Sequence, residues 1–267
     1  MEKIKAGFIG TGNMGGAIIR GIRSGYGDNA EIYAYDPDRE KLSALEREGV
    51  KAAASEVEVC RLCKYVFLAV KPQVFDTVLP KLADSVTGEN VIVSIAAGIT
   101  EEYICRMTCP EAHVVIVMPN TPFLLGKGAA ALAKGLFTTD EEFETVMDIF
   151  RTGGTAEVVS MDKMKEVIAL NGSSPAFIYL YAKGFIDYAQ SVGIDSETAL
   201  RLFAQSLVGS AAMMTSSGKS IDELIKMVSS PGGTTLAGLD GLYEGKLTEV
   251  VHDCCERCTK RAYELSK

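Results

Sequence analysis

Apolar positions recur along this chain in two rhythms. Up to about Val159, short apolar or β-branched runs alternate with amphipathic stretches, and beyond it only the helical rhythm continues. The first rhythm predicts βαβ units and a mostly parallel sheet. Strands are predicted at Lys5–Ile9, Glu31–Tyr35, Tyr65–Val70, Asn90–Ile95 and His113–Met118. Between them Pro37-Asp38, Thr100-Glu101-Glu102 and Asp140-Glu141-Glu142 carry the cap and acidic first-turn signals of helix starts, and Gly49 stops the first of these helices. After Val159, helical spacing covers Met161–Leu170, Pro175–Val192, Asp195–Ser217, Ser220–Met227, Thr234–Gly245 and Leu247–Ser266. Phe177, Leu180, Tyr181, Phe185 and Tyr188 then lie on one helix face as an aromatic stripe, of the kind that fills a core or a subunit interface.

The expected fold is therefore α/β: an N-terminal Rossmann-type, mostly parallel sheet over residues 1–160, and an all-helical substrate and dimerisation domain over residues 161–267. About a hundred residues of helices rich in small side chains bury little by themselves, so the second domain is expected to pack against another copy of the chain. Composition adds exclusions. With 267 residues and 47% hydrophobic content the chain has ample core for this plan, and its net charge of -8 with no basic cluster excludes a nucleic-acid footprint. No apolar run reaches membrane-spanning length, and the first strand begins within a few residues of the start, so no membrane partner and a cytoplasmic location are expected. Seven cysteines, odd in number and set in helical patterns, read as reduced thiols. A four-thiolate zinc site from Cys60-x-x-Cys63 and Cys255-x-x-Cys258 is the sharper alternative, but neither pair sits in a knuckle turn, and no metal is expected. His113 and His252, the two histidines, read as structural.

Chemistry concentrates in two glycine-rich stretches. In the first, a strand runs through Ile9 into Gly10-Thr11-Gly12-Asn13-Met14-Gly15 and then into a helical pattern, with Asp36 ending the second strand 21 residues beyond Gly15. Glycines at those three positions permit the sharp turn, the close approach of a pyrophosphate and tight helix–strand packing, while the helix start holds the anion. An acid at the second strand end accepts from a ribose 2′-hydroxyl and favours NADH. In a doubly wound sheet the ligand lies beyond the carboxyl ends of the strands, which here read Ala69-Val70-Lys71-Pro72, Ala96-Ala97-Gly98 and Pro119-Asn120. Lys71 is placed to reach phosphate or ribose oxygens, and the Asn120 amide to orient a nicotinamide carboxamide. Plain strand termination accounts equally for the prolines. The second stretch, Ser229-Ser230-Pro231-Gly232-Gly233-Thr234-Thr235, stands between two helices and suits a small carboxylate. A simple capping loop is the alternative, although two adjacent glycines exceed what capping needs.

Gly7-Phe8-Ile9-Gly10-x-Gly12-Asn13-Met14, Ala69-Val70-Lys71-Pro72-Gln73, Ala96-Ala97-Gly98, Met118-Pro119-Asn120-Thr121-Pro122 and above all Ser229 through Thr235 resemble the pyrroline-5-carboxylate reductase family, in order and over nearly the whole chain. The resemblance implies reduction of 1-pyrroline-5-carboxylate to L-proline, the last step of proline biosynthesis, by NADPH with NADH possible. It further implies an active site where the helical domains of a homodimer interlock, within a decameric ring of dimers in some members. On this reading Thr235 donates to the imine nitrogen, and Ser229, Ser230, Gly232, Gly233 and Thr234 hold the imino acid's carboxylate. Three departures stand out. Asn171-Gly172-Ser173-Ser174-Pro175-Ala176 replaces the family's Ser-Gly-Ser-Gly-Pro-Ala, Asp36 opposes a 2′-phosphate with only Arg39 to offset it, and Ser55-Glu56 stands where an asparagine is frequent. Two other readings are a β-hydroxyacid dehydrogenase, for which Lys183 is the sole lysine on the Pro175 helix, and a non-catalytic dinucleotide-binding regulatory paralogue.

Overall fold

The computed structural model describes residues 3–266. The chain divides into two compact units: one runs to Pro175 and takes the chain in again from Cys258, and the other is Ala176–Arg257.

The first unit is built on one sheet of eight strands in the order β3-β2-β1-β4-β5-β6-β7-β8. They are β1 (Ile4–Ile9), β2 (Ala30–Tyr35), β3 (Lys51–Ala52), β4 (Tyr65–Leu68), β5 (Val91–Ser94), β6 (His113–Pro119), β7 (Gly128–Lys134) and β8 (Gly154–Val158). Every neighbouring pair is parallel except β6 and β7. The chain winds outward from β1 through β3, then returns to β4 on the other side of β1. That reversal opens a crevice beyond the carboxyl ends of β1 and β4.

Helices α1 (Asn13–Tyr26), α2 (Arg39–Arg47), α3 (Glu56–Leu62), α4 (Phe75–Leu82), α5 (Glu101–Met107) and α6 (Asp140–Arg151) connect the strands. Side chains alternate across each strand, so both faces are covered. Ala6, Phe8 and Phe67 join Ile18, Ile22, Leu42 and Phe150 in one layer, while Val66, Leu68 and Ile92 join Val59, Leu79 and Ile104 in the other. Phe8 and Phe67, opposite each other on β1 and β4, stack at 4.5 Å between ring centroids beneath the crevice.

The five expected strands are present, and the mostly parallel sheet is as expected; the other three, β3, β7 and β8, had no clear signature. The tract Gly128–Lys134 is alanine-rich and reads as helix former, yet it pairs antiparallel with β6 along Val115–Pro119 because small side chains fit the buried position. A correction concerns Met161–Leu170, expected as one helix. It is a 3₁₀ turn at Met161–Lys163 and a π-helical turn at Ile168–Gly172. Asn171 Nδ2 donates to the carbonyls of Met118 at 2.6 Å and Ala129 at 3.2 Å, which draws the segment onto the ends of β6 and β7 at the expense of regular helix.

The second unit holds most of α7 (Ser174–Ser191), then α8 (Ser196–Ser216), α9 (Ile221–Met227), α10 (Thr234–Glu244) and the larger part of α11 (Leu247–Leu265). The aromatic stripe is partly satisfied inside it, since Phe185 stacks on Phe203 at 4.2 Å and meets Tyr181 at 5.1 Å. Among its described residues Ala189 and Ala199 are the fully buried apolar side chains, whereas Leu180, Tyr188, Leu202 and Val208 are each more than 60% exposed. Among the described residues no helix is long and apolar enough to cross a membrane.

Candidate active site

The first glycine-rich loop follows the last rung of the β1–β2 pair, where Gly10 N–H donates to Tyr35 O at 2.9 Å. Gly10 has φ +98, and a Cβ there would lie 2.7 Å from Ala69 O, so both the turn and the approach to the β4 end require glycine. A Cβ on Gly15 would lie 2.6 Å from Gly10 O, which fixes how closely α1 seats on the strand end. Gly12 differs: its Cβ direction is open space. It is the N-cap of α1 and provides no side-chain cap, so the helix start presents N–H groups with room above them. Those features fit a pyrophosphate. Ile9 is 1% exposed with its side chain in the core, Asn13 is exposed and Met14 half-buried against the first core layer.

Asp36, expected to meet the ribose, already accepts three hydrogen bonds. Its Oδ2 takes the Thr11 N–H at 2.7 Å and the Thr11 hydroxyl at 2.9 Å, and its Oδ1 takes the Asp38 N–H at 2.9 Å. Arg39 opens α2 beside it and is exposed.

The other strand ends gather around the crevice. Ala69 and Val70 are half-buried beside the glycine loop, Lys71 is exposed, and Pro72 opens a 3₁₀ turn, consistent with strand termination at Leu68. Ala96 is buried, Ala97 exposed, and Gly98 has φ +78. Asn120 uses its Oδ1 to accept from Ala129 N–H at 2.9 Å, which fixes the orientation of its amide. Below these ends lies a cavity of about 100 Å³ lined by Ala96, Gly98, Met118, Met161, Lys165 and Ile168, among others. Ser55 caps α3 by accepting from Glu58 N–H at 3.2 Å.

The second glycine-rich loop, in the helical unit, leads into α10. Gly233 is the N-cap and no side chain caps the helix. The simple capping role for the loop's hydroxyls therefore does not describe it. Within the loop, Ser229 N–H donates to Lys226 O, Ser229 Oγ to Ile225 O, and Gly233 N–H to Ser230 O. These three donors serve the turn itself. The N–H groups of Ser230, Gly232, Thr234 and Thr235 take no part in the loop's backbone bonds among the described residues, and all four residues are exposed. Gly232 has φ +70, a conformation glycine favours. N–H groups left without a loop partner around a helix start are a setting that favours an anion, and Thr235 stands at the second position of α10.

Other candidates recede. Burial pushes the Cys60 and Cys63 thiols up to about 12, and no cluster of three or more potential ligands for a metal occurs among the described residues. His113 bonds Glu142 at 2.7 Å at the amino end of β6, far along the strand from the crevice. Lys183 pairs with Asp187 one turn along exposed α7.

Two family models match: one described as pyrroline-5-carboxylate reductase dimerisation over residues 161–265, the other as NADP oxidoreductase, coenzyme F420-dependent, over residues 5–98. A pyrroline-5-carboxylate reductase of Escherichia coli is 36% identical, with the whole of both chains covered. The chain belongs to the pyrroline-5-carboxylate reductase family. Among solved structures, the Coxiella burnetii pyrroline-5-carboxylate reductase superposes with a TM-score of 0.93 at 29% identity, covering all of both chains. The Plasmodium falciparum pyrroline carboxylate reductase, solved with NADP bound, superposes with a TM-score of 0.87 at 27% identity over the full length of each. The fold thus agrees with that of the reductases.

Three features of the first unit drew little or no sequence signal. Asn171 fastens the interdomain turn to β6 and β7, and the sequence marked it only as a larger residue in a familiar motif. Tyr263 on α11 donates to Glu166 Oε1 at 2.9 Å, with Lys165 4.5 Å over its ring. The end of α11 then packs its backbone on Gly98, where a Cβ would lie 3.2 Å from Leu265 O.

Proposed function

We propose that this protein reduces 1-pyrroline-5-carboxylate to L-proline, the last step of proline biosynthesis, using NADPH, with NADH accepted. The uncapped α10 start with its four free N–H donors carries this reading, because it offers a carboxylate cradle and a hydroxyl side by side in an enzyme family that reduces a cyclic imino acid.

The first loop holds the dinucleotide by N–H groups at the start of α1, with Gly12 leaving room for the pyrophosphate. Ala69 to Pro72, Ala96 to Gly98 and Asn120 line the remaining cofactor path, and Asn120 Nδ2 is its free amide donor toward the nicotinamide. When bound, the reduced nicotinamide supplies a hydride to the imine carbon. At the second loop, Ser230, Gly232, Thr234 and Thr235 N–H groups orient the substrate carboxylate, and the Ser230 hydroxyl adds a further donor. Thr235 Oγ donates a hydrogen bond to the imine nitrogen and passes its proton to it as the carbon receives hydride, so that the C=N bond becomes the secondary amine of proline and the threonine hydroxyl is reprotonated from solvent. Positioning supplies most of the acceleration, since neither loop contains a histidine or a carboxylate base at the second site.

The unit that carries the second loop leaves most of its apolar surface uncovered. We infer a homodimer through this surface, and a ring of such dimers as its higher assembly. Seven free cysteines fit a reducing compartment, consistent with a cytoplasmic enzyme. Purified protein supplied with 1-pyrroline-5-carboxylate and NADPH is expected to yield L-proline. Cofactor oxidation that does not depend on the imino acid would contradict the reading.

A further inference from the structure

The carboxylate of Asp36 carries an inference beyond the reductase reading, on which it rests only for the identity of the ligand. In a dinucleotide fold the acid at the end of the second strand is expected to accept from the adenosine ribose 2′-hydroxyl, and for that it needs an accessible acceptor site. Asp36 is largely committed elsewhere. A carboxylate has about four lone-pair sites, and three are taken here. The residue is 9% exposed and its partner Thr11 is 6% exposed, so the contact lies inside the protein.

The partners explain what the contact does. Beyond the rung from Gly10 N–H to Tyr35 O the two chains diverge, and nothing in the regular ladder fixes the next residue of the loop. Thr11 turns both its N–H and its hydroxyl onto Asp36 Oδ2, at 2.7 and 2.9 Å. On the other side Oδ1 accepts from Asp38 N–H, an Asx-type turn that sets the start of α2. One side chain thereby ties the glycine-rich loop to the β2–α2 turn. Gly12 and the open helix start of α1 come directly after Thr11, so the direction of the pyrophosphate donors depends on this tie.

We propose that Asp36 is a latch for the glycine-rich loop, a positioning residue that serves NADPH and NADH alike and does not read the adenosine ribose. The three donors turned onto the carboxylate offset part of its charge, which lessens its opposition to a 2′-phosphorylated cofactor.

Two variants of the full-length protein test this by dissociation constants for NADPH and NADH together with amide hydrogen exchange of the ligand-free protein. Asp36→Ala removes the latch. Thr11→Val removes one donor and leaves the carboxylate in place, and it carries the test if Asp36→Ala fails to fold. Loss of charge-assisted bonds of this kind is expected to weaken both cofactors about tenfold in Asp36→Ala and less in Thr11→Val, with the NADPH-to-NADH ratio unchanged within about twofold. Exchange should rise locally at Gly10–Asn13 while the melting temperature of Thr11→Val stays near that of the parent. Weaker NADH with unchanged or tighter NADPH in Asp36→Ala would overturn the proposal, and so would a Thr11→Val protein with unaltered affinities and unaltered loop exchange. If the parent protein bound neither nucleotide, the dinucleotide reading itself would fail, and the exchange measurement would still decide whether the latch exists.

Discussion

Thr235 stands exposed at the second position of α10, next to N–H groups that no side chain caps. A hydroxyl that donates to the imine nitrogen is worth about 10²-fold or more in kcat/KM, so Thr235→Ala should fall by that factor and Thr235→Ser should recover most of it, as steady-state kinetics with the imino acid will show. Gly15 makes a different kind of prediction. A Cβ there meets the Gly10 carbonyl at 2.6 Å and Ala69 Cβ at 3.1 Å, both parts of a packed strand end. Gly15→Ala should therefore cost about 1–3 kcal/mol in urea unfolding and weaken NADPH binding, because α1 must shift away from the loop. Gly15 was legible in the sequence, since a glycine with a steric duty leaves a local mark, and Thr235 stood out there as a candidate hydroxyl beyond a glycine pair. The partners of Asp36 were not legible. A carboxylate at a strand end reads the same whether its donors come from a sugar or from Thr11, and only the closed loop distinguishes them. For the same reason the turn donors Ser229 and Gly233 could not be told from the free donors around them.

At the level of elements, caps were more readable than pairing. Asp38, Thr100 and the Thr139–Glu142 capping box all begin the helices that their local pattern marks. β7 escaped because five of its seven residues are small or alanine-like in preference, and strand formation there is imposed by β6 and β8 on either side. The Met161–Leu170 segment escaped because its departure from helix depends on Asn171 finding carbonyls 53 and 42 residues away in sequence. Glu142 links these scales. Its side chain is 8% exposed; burial works against its charge, yet the Thr139 N–H and His113 hold its carboxyl below the usual glutamate range, with Lys64 at 3.4 Å. A folded-state pKa below the unfolded value contributes stability that is present above about 4.3 and lost as pH falls through the lowered value. Melting temperature should thus drop in acid below about pH 4, and the drop should be shallower in Glu142→Gln, which is less stable at neutral pH.

At the scale of the whole molecule, the helical unit is defined by what it leaves uncovered. Its fully buried apolar side chains among the described residues are two alanines, while large side chains such as Leu180, Leu202 and Val208 stay exposed. A surface of that extent is expected to be covered by a second copy, and light scattering at micromolar concentration should report two chains or a multiple. Replacing Leu202 by glutamate should shift the mass toward one chain. The all-helical rhythm after Val159 made this unit readable as a class of structure, because small residues and aromatic stripes repeat at helical spacing. How the last helix returns to the sheet unit, with Tyr263 on Glu166 and the Leu265 backbone on Gly98, had no such periodic mark. The proposed assignment gives one glycine-rich loop to a dinucleotide and the other to a small carboxylate in a single reaction. Its most direct test is the stoichiometry of NADPH consumed and L-proline formed when purified protein meets 1-pyrroline-5-carboxylate. The expected result is equal amounts, with kcat/KM of about 10⁴ M⁻¹s⁻¹ or more. Protein that binds NADPH but consumes none of it in the presence of the imino acid would contradict the assignment.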